Sequence, residues 1–277
     1  MLRVLWALLL ASLGALSAGD QPSPSVEEIM ARVAANQDRA DQARAEYVYQ
    51  QRIHVASLRT SGKLAREETA DYLVIPTPDG TKKEMKHIQG RYWHKGKYME
   101  FQGEPVPEAG WLDSSLVESF RDDLSSDKSK DGLERDLFPL TSEEQKTYRF
   151  ELVGEETVQG RKVYRVRFRP RDKNELTWAG EALIDATEFE PVRVYTKLSR
   201  KIPFWVRTLL GTNVPGFGFN VEYKRFDEGV WFPVSFGTEF RLRAVFFINR
   251  DITVALENSA FERAKVQSKI VGFQPDN

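Results

Sequence analysis

The chain of 277 residues contains no cysteine. Disulfides, iron–sulfur clusters, thiolate zinc sites and thiol redox chemistry are excluded with it, as is attachment of a lipid to a cysteine behind a leader. A domain of roughly 250 residues can bury most of its unfolded surface unaided, so an exported chain of this size does not need cross-links. Histidine is nearly as scarce. His54, His87 and His94 are the only three, and none sits in a His-x-x-x-His or Glu-x-x-His spacing that would bring two ligands onto one helical face. His87 and His94 fall on a predicted hairpin where they could meet, but exposed strand positions account for them more simply. No metal site and no cofactor is expected. A Gly-x-Ser-x-Gly elbow, a Walker loop and a dinucleotide fingerprint are also missing, and Gly216-Phe217-Gly218 reads as a turn and not as a phosphate cradle. No residue is assigned a catalytic role, and the expectation is a protein that is not an enzyme.

Neither sign of charge prevails. Forty Lys and Arg stand against 41 Asp and Glu, a net charge of −1, and no basic stripe of the kind that neutralises phosphates is visible, so nucleic acid is not an expected partner. The local run Arg165, Arg167, Arg169, Arg171 reads first as the solvated face of a strand, with an anionic surface as the alternative ligand.

Only the N-terminus holds a long apolar run. Met1-Leu2-Arg3 supplies one positive charge, residues 4–16 are almost wholly apolar, and small residues at Ser17, Ala18 and Gly19 precede Asp20-Gln21-Pro22. That order predicts a secretory signal peptide over residues 1–18 and a single mature domain over residues 19–277. The alternative, a retained membrane anchor, is disfavoured because the run falls short of the ~20 residues that a span needs. The expected location is the periplasm.

What fills the rest is alternation. Tyr164, Val166 and Phe168 point one way and Arg165, Arg167 and Arg169 the other, because successive side chains of a strand project to opposite faces. The same division recurs at Val192, Val194 and Leu198 against Arg193 and Lys197, at Phe219, Val221 and Tyr223 against Glu222 and Lys224, and at Val234, Phe236 and Phe240 against Ser235, Glu239 and Arg241. Turns at Gln159-Gly160, residues 170–174 and Asp227-Glu228-Gly229 separate the runs. This predicts one large antiparallel sheet with an apolar face that something must cover.

Two helical segments are available as covers. Ser25 and Glu28 form a capping box, and Val26, Ile29, Met30 and Val33 then share one helical face, which predicts a helix to about Ala43. Strands follow at residues 47–55, 70–75 and 83–101. A helical excursion over residues 114–140, with Leu116, Phe120 and Leu124 at helical spacing and a charged stretch at 125–132, divides these strands from the later ones. Residues 202–219 form a connection too long and too apolar for a hairpin loop. Pro203 and Pro215 bracket a short helical stretch with Trp205, Leu209 and Leu210 at helical spacing, and Phe204, Trp205, Leu209, Leu210 and Phe217 of the connection make either a lid on the barrel mouth or a contact with a membrane or partner.

The hairpin over residues 158–166, the segments Trp178-Ala-Gly-Glu-Ala-Leu-Ile-Asp185 and Glu190-Pro191-Val192-Arg193, and Asp227-Glu-Gly-Val-Trp-Phe-Pro233 together resemble the LolA/LolB-like superfamily of outer-membrane lipoprotein-sorting proteins. The resemblance extends over most of the mature chain. It implies an α+β, mainly antiparallel fold, an incomplete half-open β-barrel whose concave face is covered by helices and holds acyl chains. The chain departs from the LolB branch in lacking its lipid-attached cysteine, and from the carrier branch in its 202–219 insertion. The implied partner is lipid or acylated protein, with transient membrane or envelope-protein contact, on a monomer. The groove is then expected at Tyr47, Tyr49, Tyr72, Tyr164, Val166, Phe168, Val194, Tyr223, Phe236 and Phe240. Sealed cores and lipid grooves use the same residues, so a filled core on an envelope interaction module is the alternative, and a hydrolase is a distant third.

Overall fold

Ser25 opens the first helix as the capping box requires: its hydroxyl accepts from the backbone N–H of Glu28 at 3.2 Å, and the Glu28 carboxylate accepts from the Ser25 N–H at 2.9 Å. The helix, α1 (Val26–Arg44), buries Ile29, Met30, Val33, Ala34, Gln37 and Ala40 along one stripe. The computed structural model describes residues 23–77, 80–103, 111–125, 138–172, 178–199, 212–213, 218–226, 229–244 and 248–264. The predicted leader, the charged stretch at 126–132 and the five lid residues Phe204, Trp205, Leu209, Leu210 and Phe217 lie outside them.

Four strands follow α1: β1 (Tyr47–Arg59), β2 (Leu64–Thr77), β3 (Gly80–His94) and β4 (Lys97–Gln102). Then come α2 (Trp111–Ser125) and a 3-10 turn (Glu144–Thr147). The chain continues as β5 (Tyr148–Val158), β6 (Arg161–Pro170), β7 (Trp178–Asp185), β8 (Pro191–Leu198), β9 (Thr212–Asn213), β10 (Gly218–Arg225), β11 (Trp231–Ala244) and β12 (Ile248–Arg263). The β5–β6 hairpin turns at Gln159 and Gly160, with φ of 50° and 80°. Positive φ at both central residues gives a turn whose twist matches that of the flanking strands.

These strands form one antiparallel sheet in the order β4-β3-β2-β1-β12-β11-β10-β8-β7-β6-β5, with β9 alongside the far end of β11. The edges β4 and β5 do not pair, so the barrel is incomplete and half open, as the sequence predicts. Because β4 and β5 are consecutive in the chain yet lie at opposite edges, residues 103–147 must cross the open side of the sheet. That crossing carries α2, Phe138 and Leu140 onto the apolar face, where Val117 of α2 and Ile29, Met30 and Val33 of α1 join strand residues in one buried cluster. The 202–219 connection is not wholly irregular: Thr212 and Asn213 pair with Ala244 and Arg243, where β11 outruns its pairing with β10.

Candidate functional site

The apolar face of the sheet is the candidate site. Tyr72, Tyr164, Val166, Phe168, Val194, Tyr223 and Phe236 all enter the main buried cluster, between 0% and 8% exposed. Register explains the assembly. Leu152 sits opposite Val166 across β5–β6, Val166 opposite Ala182, Ala182 opposite Val194, and Val194 opposite Val221, so one apolar row crosses five strands. Phe219 stacks on Phe236 at 4.9 Å between ring centroids, and Trp178 meets Phe219 edge-on at 4.9 Å. Tyr47 and Tyr49 are buried apart from this cluster, in an aromatic group with Phe232, Phe261 and Phe226, where Tyr47 meets Phe232 at 5.0 Å and Tyr49 stacks on Phe261 at 5.2 Å. The side chain of Phe240 lies outside the described part of the molecule.

Beneath α2 the face is not wholly apolar. Arg66 and Glu68, both on β2, are 0% and 1% exposed. Glu68 accepts from Arg66 Nε at 2.9 Å and from Arg121 Nη1 of α2 at 2.6 Å. The Arg66 guanidinium lies 5.1 Å from the Phe101 ring centroid and 5.6 Å from that of Tyr92, and Glu118 of α2 approaches it to 3.8 Å. At the other end of α2, Asp113 accepts from Ser57 Oγ at 2.9 Å and from Arg250 Nε at 2.6 Å. Burial by itself would raise the Asp113 carboxyl, but Arg250 and Ser57 outweigh it and hold that carboxyl below the usual carboxylate range. Lys83 closes the set, donating from Nζ to the Leu124 carbonyl at 2.8 Å. These polar anchors escaped sequence reasoning. Their signal was present in parity: Arg66 and Glu68 fall in step with Ala70, Tyr72 and Val74, the buried positions of β2.

α1 is seated differently. Beyond its apolar stripe, Asn36 donates to the carbonyls of Glu188 and Phe189 at 2.7 and 3.1 Å, and Gln37 donates to Glu190 at 2.6 Å. Burial pushes Glu190 up to about 7, against the opposing effects of the Gln37 hydrogen bond and Arg44.

Clefts of about 680, 580 and 610 Å³ lie among described residues on the outer, polar face, not on the apolar one. His87 and His94 cannot meet. Both belong to β3, seven residues apart and hence about 23 Å along an extended strand. No group of three or more His, Asp or Glu among the described residues could hold a metal ion.

No protein-family model matches the sequence, and no curated protein matches it significantly. Solved structures do. A LolA superfamily protein from Nitrosomonas europaea is similar over 90% of this chain and 98% of its own, at 10% identity and a TM-score of 0.34. A DUF1329 family protein from Desulfovibrio piger covers 90% and 95% at 12% identity and a TM-score of 0.37. The Mycobacterium tuberculosis lipoprotein LppX covers 88% and 99% at 10% identity and a TM-score of 0.29. Likeness at this level carries no argument about ligand or activity.

Proposed function

We propose that this protein is a non-enzymatic carrier of lipid or acylated protein in the periplasm, and that it holds acyl chains against the apolar face of its sheet. The observation that carries the reading is the seat of α2. This helix covers β1 and β2; among its described apolar side chains Val117 is wholly buried and Leu116, Phe120 and Leu124 are partly so, while charged and polar groups fasten it at Asp113, Arg121 and the Leu124 carbonyl. Charges separated from a buried pair recover their hydration when water reaches them, so the net cost of parting them is small. Re-exposing a fully buried Ile or Val costs about 1.5–3 kcal/mol each. α1, with Ile29, Met30 and Val33 sunk in the core, is the fixed cover. α2 is the removable one, and lifting it opens the apolar face over β1 and β2 without unfolding the sheet.

The close packing of that row favours a second reading, an envelope interaction module with a filled core and no ligand. A fluorescent fatty acid separates the two. The carrier takes up the probe saturably and releases it to unlabelled phospholipid, and lipid co-purifies with it in native mass spectrometry. Uptake no greater than that of an unrelated folded protein, together with a lipid-free mass spectrum, supports the filled module.

A further inference from the structure

On the outer face of the sheet, arginines are paired with carboxylates almost as a rule. Arg52 meets Asp71 at 2.7 Å, Arg165 meets Glu156 at 2.7 Å, Arg167 meets Glu181 at 2.9 Å and Arg193 meets Glu222 at 2.6 Å. One cross-strand row breaks the rule. Arg149 of β5 stands directly opposite Arg169 of β6, and Ala179 of β7 directly opposite Lys197 of β8. The β6–β7 register, with Arg167 opposite Glu181 and Phe168 opposite Gly180, continues to set Arg169 beside Ala179. The row therefore reads Arg149, Arg169, Ala179, Lys197 across four strands, about 14 Å from end to end. All three cations are exposed, and none has a hydrogen-bond or ion-pair partner among the described residues.

Like charges placed directly opposite each other on a sheet destabilise it, and nothing in the row offsets that cost. In the neighbouring row, Glu151, Arg167, Glu181, Tyr195, the one cation is paired with both carboxylates. Small Ala179 leaves a gap between the long side chains, which is the floor of the 680 Å³ cleft, and Arg171 adds a fourth unneutralised cation to its wall, while Glu151 is its one carboxylate among the described residues. Tyr195, nearly half exposed on β8, stands beside the row, and a tyrosine with a bare ring suits the level of lipid headgroups.

We propose that this cleft docks the protein on a membrane by receiving the phosphates of anionic phospholipids, so that the outer face of β5–β8 meets the bilayer. The inference does not rest on the acyl-binding reading, since it uses the opposite face of the sheet. A nucleic-acid backbone presents phosphates too, but it would call for a basic stripe and a positive chain, and this chain is balanced at −1.

Co-sedimentation of the purified protein with vesicles tests the proposal. Phosphatidylcholine vesicles containing phosphatidylglycerol are expected to bind it at low ionic strength and to release it at about 0.5 M salt, where charges are screened within a few Å. Vesicles of phosphatidylcholine alone are expected not to bind it. Each cation near an anionic surface contributes about fivefold to partitioning, so Arg149→Glu plus Arg169→Glu should lower binding by about tenfold or more. Arg169→Glu alone sets a carboxylate opposite Arg149, so it should melt no lower than the parent protein while still binding vesicles less well. Fatty-acid uptake by these variants should be unchanged, which keeps failure of docking distinct from failure of the carrier reading. Undiminished vesicle binding by the folded double variant overturns the proposal, as does equal binding to neutral vesicles. Complete displacement by millimolar inorganic phosphate, or preferential capture of duplex DNA, overturns it also.

Discussion

Glu190 is a carboxyl group held where water cannot hydrate its charge. Burial raises it to about 7, whereas an unfolded glutamate titrates near ~4.3. Between those values the folded chain keeps a proton that the unfolded chain releases, so this stabilisation is full below about pH 4 and is lost as the pH rises through 7. It amounts to roughly 4 kcal/mol at most. Glu190→Gln cannot ionise and still offers an oxygen to Gln37, so the variant should melt higher than the parent at pH 8 and no higher at pH 5. Parallel melting profiles across that range would show that the carboxyl is hydrated after all. Glu68 is the converse case. It neutralises the wholly buried Arg66, and Glu68→Gln leaves that cation without its main partner, at an expected cost of about 3–5 kcal/mol in denaturant unfolding. The burial of neither residue was read from the sequence. A lone glutamate in Phe189-Glu190-Pro191 gives no sign of burial, because its surroundings come from α1, some 150 positions away.

At the scale of elements, alternation was the most legible signal. The division of Tyr164, Val166 and Phe168 from Arg165, Arg167 and Arg169 is the observed one, and the capping box placed the start of α1 at the observed residue. What alternation could not give was the seat of α2, since Asp113 meets Ser57 and Arg250 across 56 and 137 positions. Separating the Tyr47 and Tyr49 group from the main cluster was equally out of reach, because it depends on which strands become neighbours. Asp113→Asn should weaken the docking of α2 by about 1 kcal/mol, the net contribution of a typical hydrogen bond. Amide exchange in α2 should then quicken by about fivefold, while exchange in α1 is unchanged. The Asp113 carboxyl is depressed in the folded state, so its contribution is present above about pH 4 and is lost as the pH falls through its folded value. Acid therefore loosens α2. Equal exchange in both proteins would mean that α2 is held by its apolar residues instead.

For the whole molecule, one topological fact governs the rest: consecutive strands β4 and β5 lie at opposite edges of the sheet. The intervening chain must bridge the open side, so the cover and the sheet belong to a single connection and the cover cannot leave entirely. The sequence announced a helical excursion between two groups of strands. It could not announce the span, because an edge has no local signature until all pairings are made. Whether α2 gates the apolar face is tested most directly by tethering it. The chain has no cysteine, so Ser57→Cys plus Asp113→Cys introduces a unique pair where the native side chains lie 2.9 Å apart, to be joined by a short reducible thiol cross-linker. Fatty-acid uptake should fall at least tenfold in the tethered protein and return, on reduction, to the parent level or above. Uptake by the tethered protein equal to that of the parent would contradict the assignment of α2 as the removable cover.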